Sequence, residues 1–170
     1  MNRRLLGVVV ALAVAVLGFG GWVSLRDDET PSKAPTGTPG GALTFVLPPT
    51  WQTLACGTDE GDCVRVATPG MIEAHAATVS FLPPNPVEGT PVDTLINPDV
   101  TVPGSTRITV DGLPATRLDP DRAGQDAILV AGRARTEVGY AFMVLCPVGG
   151  DAERARGLCE QILSTLRVTR

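Results

Sequence analysis

Apolar residues are spread along this chain in three different ways. Residues 5–25 read LLGVVVALAVAVLGFGGWVSL, a run of 21 residues without a charge. At 1.5 Å per residue, a helix of that length crosses a hydrocarbon core of about 30 Å. The run therefore predicts a transmembrane helix in contact with membrane lipid. Residues 26–41 (RDDETPSKAPTGTPGG) carry almost no apolar side chain; such a stretch cannot offset the entropy of ordering and reads as a flexible, disordered tether. From residue 42 to residue 170, apolar positions recur at strand and helix periods, which predicts one globular domain of ordinary size.

Charge gives the first segment a direction. Arg3 and Arg4 precede the run, and Asp27, Asp28 and Glu29 follow it. The positive-inside rule keeps such an N-terminus in the cytoplasm and sends the rest outward, with Trp22 placed as an interfacial aromatic. A cleaved secretory signal shares the basic start and apolar stretch, and would release a secreted domain. The run exceeds the usual apolar region of about 7–15 residues, and no clear small-x-small site closes it. A retained signal-anchor, single-pass with residues 1–25 as cytoplasmic start and span, is the preferred reading. Both readings export the domain.

Within residues 42–170, LTFVL at 43–47 reads as a strand that opens the sheet, broken by Pro48 and Pro49. DCVRVAT at 62–68 and HAATVSFL at 75–82 read as further strands, and PVDTLIN at 91–97 as one helical turn with Pro at its start. The strongest local signal is STRITV-DG-LPATRL. Asp111-Gly112 supplies the positive φ values of a two-residue type I′ hairpin, while Pro114 favours an edge or a strand start. A second antiparallel pair, 127–134 and 138–146, is apolar on both faces, so it belongs at the centre with layers on either side. The final element runs from Asp151 as N-cap to about Leu166. Its apolar stripe comprises Ala155, Leu158, Cys159, Ile162, Leu163 and Leu166.

Cys56, Cys63, Cys146 and Cys159 all lie beyond the span, and an even count of exported thiols predicts disulfides. Cys56 and Cys63 flank a polar, glycine-containing turn, while Cys146 ends an apolar strand and Cys159 rides the stripe of the helix that follows. The expected pairs are therefore Cys56–Cys63 and Cys146–Cys159. The spacings lack the close pairs of zinc knuckles, and no C-x-x-C redox motif is present.

Composition narrows the functional classes. The chain has 18 acidic against 14 basic side chains, and setting aside Arg3, Arg4 and Arg26 leaves 11 basic ones. That balance lacks the basic footprint of a nucleic-acid binder. His75 is the only histidine, and no G-x-S-x-G elbow accompanies it. DPDRAGQD at 119–126 opens like a calcium loop, with Asp119, Asp121 and Gly124 suitably spaced. It then places Ala123 and Val130 where ligands are needed, and reads as a solvated connection ahead of a weak calcium site. Asp119, Asp121 and Asp126 remain the carboxylates available to an extracytoplasmic enzyme. No residue is assigned a catalytic, metal-binding or cofactor role.

The order of features resembles the Mog1/PsbP-like domains, including the bacterial envelope lipoprotein branch of LpqN-like and DcrB-like proteins. The matching positions are Phe45, Pro48 and Trp51, then GLPA at 112–115, then ILSTL at 162–166. Thr50 stands where Gly usually precedes the Trp, and the lipobox cysteine of that branch is absent. The resemblance spans residues 42–170 and implies an α+β fold, an antiparallel sheet flanked by helices. It also implies a binding or assembly role without catalytic residues. The resulting expectation is a membrane-tethered module of the bacterial cell envelope that binds a protein, peptide or lipid partner, with no nucleic acid and no cofactor.

Overall fold

The computed structural model describes residues 35–57, 61–84, 91–97, 99–120, 126–135, 139–149 and 151–170; of residues 91–93 it describes the backbone alone. The expected membrane span lies outside the described residues, among which no helix is long and apolar enough to cross a membrane.

The strands are β1 (Thr36–Gly37), β2 (Leu43–Phe45), β3 (Gln52–Ala55), β4 (Asp62–Ala67), β5 (Ala77–Leu82), β6 (Ser105–Val110), β7 (Leu113–Leu118), β8 (Ala127–Arg133), β9 (Ala141–Pro147) and β10 (Arg167–Val168). Among the described residues two α-helices join them, α1 (Pro91–Ile96) and α2 (Ala152–Thr165), together with a 3-10 turn at Glu73–His75. Seven strands form one antiparallel sheet in the order β3-β4-β5-β9-β8-β7-β6, and β1-β2-β10 form a small second sheet. The architecture is α+β, with an antiparallel sheet flanked by helices.

The central strand is β9, as its two apolar faces require. Val144 faces Val79 on β5 and Val130 on β8, all fully buried. Phe142 lies across from Gly132, where a Cβ would sit 2.5 Å from the Phe142 ring. Glycine at that position is what lets the ring lie over β8. This face is covered by α2 and by the small sheet, whose Leu43, Phe45 and Val168 join Leu158, Ile162 and Leu166 in the main core. The alternate residues Leu129, Leu145 and Met143 point to the other face, against Leu95 of α1.

Helix α2 starts where its cap signal places it. The Asp151 carboxylate accepts from the Arg154 N–H at 2.9 Å, and the stripe Ala155, Leu158, Cys159 and Ile162 is buried. The hairpin β6–β7 turns on Asp111 (φ 49°) and Gly112 (φ 76°). Asp111 was chosen for more than its backbone. Its carboxylate accepts from the Val168 N–H at 3.0 Å and from Arg135 at 3.3 Å, tying the hairpin tip to the C-terminal strand.

Three features depart from the sequence-based expectation. Strand β2 does not open the large sheet; it lies on the sheet's face between β1 and β10, with Leu43 and Phe45 turned into the core. Residues 36–41 fall within the stretch read as a tether, yet β1 pairs with β2 and buried Thr38 donates to the Asp62 carboxylate at 3.0 Å, so order begins ahead of Ala42. His75 does not start a strand but ends the 3-10 turn, its N–H donating to the Ile72 carbonyl at 3.0 Å. Of the two places expected for Pro114, it takes the strand start, as the second residue of β7, which is an inner strand; the edge is β6. Pro114 has no N–H to donate, and the β7–β8 ladder starts only at Ala115–Gly132.

Candidate binding site

The four cysteines form the two expected bridges. Cys56 and Cys63 stand 6.0 Å apart at Cα, extending the β3–β4 ladder by a covalent rung; Cys146 and Cys159 stand 6.1 Å apart, joining β9 to α2. Both distances suit a disulfide. Cys146 and Cys159 are fully buried, so this bridge is inside the core and fixes the helix to the sheet.

The opposite face of the sheet is less completely covered. Helix α1 has only six residues, and between it and strands β7 and β8 runs a groove of about 340 Å³. That volume is in the range of about 300–1,000 Å³ common for small-ligand sites. Leu95, Ile96, Pro114 and Ala131 supply its apolar lining, Arg107, Thr116 and Arg133 its polar side chains, and none of its lining residues is acidic. A second depression, along the edge strand β6, shares Arg107 and Pro114 with it.

Two of the groove's polar side chains hold the groove together. The Thr116 hydroxyl is buried; it donates to the Leu95 carbonyl at 2.7 Å and accepts from Arg107 at 2.7 Å. Arg107 also donates to the carbonyls of Asn97 and Val100, at 3.3 and 3.2 Å. These bonds take up carbonyls at and beyond the end of α1, which a six-residue helix leaves unpaired. Arg133 is different. It is exposed, and among the described residues its side chain has no hydrogen-bond or ion-pair partner.

His75 lies at the other end of the sheet, in a cleft with lobes of about 200 and 400 Å³ that share His75, Pro147, Val148 and Gly149. A Cβ at Gly149 would meet the imidazole at 2.5 Å, so the glycine leaves room for the ring. Asp126 and Asp151 also line this cleft, but Asp151 caps α2. Among the described residues, none that line it carries a hydroxyl or thiol, so they offer His75 no side-chain nucleophile to activate. Ile72, at 60% exposure the one large exposed apolar side chain among the described residues, marks its rim.

Among the described residues, the candidate carboxylates Asp119 and Asp126 do not converge. Asp119 accepts from Arg117 at 3.0 Å, and Arg117 reaches on to Glu160 of α2. Burial alone would lower the Arg117 pKa, but hydrogen bonds to Glu160 and Asp119 outweigh it and raise the value. Asp126 instead faces the His75 cleft, and Asp121 and Gly124 lie outside the described residues. Among the described residues, no three His, Cys, Asp or Glu side chains gather as a metal-binding group. Sequence reasoning missed the groove and its arginines. The signal available was the hairpin register, since a two-residue turn at 111–112 places Arg107 opposite Thr116.

No family model matches the sequence, and no curated protein matches it. Among solved structures, the chain is similar to the solution structure of cyanobacterial PsbP (CyanoP) from Synechocystis sp. PCC 6803. The identity is 14% and the TM-score 0.43, covering 79% of this chain and 91% of that one.

Proposed function

We propose that this chain is a membrane-tethered, extracytoplasmic binding or assembly module of a bacterial cell envelope, anchored by residues 5–25 and non-catalytic. The observation that carries the reading is the buried Cys146–Cys159 bridge between β9 and α2. A domain whose core includes a disulfide matures in an oxidising compartment, and the charge-flanked apolar run supplies both the export signal and the anchor. The tether then keeps the domain within a few tens of ångströms of the bilayer, since flexible chains reach about 5–6 Å times the square root of their length. Binding suits the geometry better than catalysis does. The groove has apolar walls and cationic side chains, whereas His75 lacks a nucleophile and Asp119 is engaged by Arg117.

The reading further places residues 42–170 among Mog1/PsbP-like domains, in the LpqN-like and DcrB-like envelope branch. In support, the GLPA segment forms the hairpin and the ILSTL segment closes α2, as that resemblance requires. The test is proximity crosslinking from native membranes, with the anchored chain beside a version cleaved within its tether. Recovery of one envelope partner by the anchored chain alone is expected. A native N-terminus at or beyond Ser24 would remove the anchor, and turnover of a sugar or peptide substrate would remove the non-catalytic assignment.

A further inference from the structure

We infer that the groove between α1 and strands β7 and β8 binds a monocarboxylate with a medium-length alkyl body. The inference rests on the binding-module reading and names the ligand class. The walls are apolar on both sides, with Leu95 and Ile96 from the helix and Pro114 and Ala131 from the strands. An alkyl chain entering them removes apolar surface from water on both partners, at about 25 cal/mol per Å².

The head group follows from charge. The chain as a whole is acidic, with a formal net charge of −4, yet this groove is lined by two arginines and no acid. Arg107 is held by Thr116 and by backbone carbonyls, and its role is to position α1. Arg133 has a guanidinium without a partner among the described residues. One unpartnered guanidinium matches one negative charge, and its planar fork accepts a carboxylate through two parallel N–H···O bonds. A doubly charged phosphate head would find no second open donor fork, because Arg107 is engaged by Thr116 and the carbonyls of Asn97 and Val100. The opening itself comes from the sequence. Pro114 cannot donate to β8, so the ladder stops at Ala115–Gly132, and Pro114 and Arg133, the next residues along, line the groove.

The test uses the full chain in zwitterionic lipid nanodiscs, with a diazirine-bearing decanoate as photolabel and the matching decanol as control. Crosslinks are mapped by mass spectrometry. Decanoate should label peptides of α1, β7 and β8 and be displaced by unlabelled decanoate. Arg133→Gln should weaken that labelling roughly tenfold, the loss expected for one charge-assisted interaction, while Arg133→Lys retains most of it. Equal labelling by decanol, indifference to Arg133→Gln, or labelling confined to the His75 cleft would overturn the proposal. Capture of a protein partner with the groove unlabelled would also overturn it, while leaving the binding-module reading in place.

Discussion

The two faces of the seven-stranded sheet solve the same problem to different degrees. One carries α2, fourteen residues long, whose stripe packs on the sheet beside the small β1-β2-β10 sheet and is covalently fixed through Cys159. The other carries α1, six residues long, held by Leu95 and by hydrogen bonds from Thr116 and Arg107. A helix of 14 residues buries a full stripe; one of six cannot nucleate on its own and depends on tertiary contacts. Stability is therefore concentrated on the closed face, and the open face keeps room for a ligand. Local opening should follow the same division, because regions with few buried contacts open at lower free energy.

The largest effects should come from the closed face. Phe142→Ala should cost about 3–5 kcal/mol, since it empties space in a core whose neighbours, including Gly132, cannot refill it. Leu95→Ala on the other face should cost less, about 2 kcal/mol, because a short helix can settle into the space. Chemical denaturation of both variants measures the ratio; equal losses would break the distinction between the faces. Next come the bridges. Replacing Cys146 and Cys159 with Ala should cost about 3 kcal/mol by the loop-entropy argument, and replacing Cys56 and Cys63 about 2.4 kcal/mol, because that loop is shorter. Hydrogen exchange should show the first pair loosening α2 and the second affecting only the β3–β4 end.

Removing one hydroxyl should separate the faces more finely. Thr116→Val keeps the shape of the side chain and deletes the bonds to Leu95 and Arg107. The expected cost is about 1–3 kcal/mol, for a buried carbonyl left without a donor. Exchange should accelerate in α1 and leave α2 unchanged; acceleration in both helices would mean that the faces open as one unit.

What could be read from the sequence was whatever local chemistry decides. The positive-φ turn at Asp111-Gly112, the Asp151 cap, the helical stripe to Leu166 and the doubly apolar β9 all follow from residues within a few positions of one another. The cysteine pairing followed too, because Cys159 shares its stripe with residues that must face the strand ending in Cys146. Strand β3 was not legible: QTLA is mostly exposed, lacks alternation, and becomes a strand only by pairing with β4. The two-residue strands β1 and β10 carry no period, and nothing local says that LTF lies on the sheet's face rather than in it. The groove was half legible. Turn geometry set Arg107 opposite Thr116, but the placement of α1 above them depends on tertiary packing that Leu95 and Ile96 alone do not specify.

The smallest expected effect is the most discriminating, because it compares two arginines on one face. Arg107 and Arg133 both line the groove, but Arg107 satisfies the carbonyls of Asn97 and Val100 while Arg133 satisfies none among the described residues. Arg107→Gln should destabilise the domain by about 1–3 kcal/mol, since buried or half-buried acceptors lose a charged donor. Arg133→Gln should leave stability within about 0.5 kcal/mol of the parent, as for other surface positions without partners. Denaturation midpoints of the two variants decide the matter. A large loss for Arg133→Gln would make it a structural residue that the fold employs, whereas near-neutrality leaves a charge that the fold itself does not use.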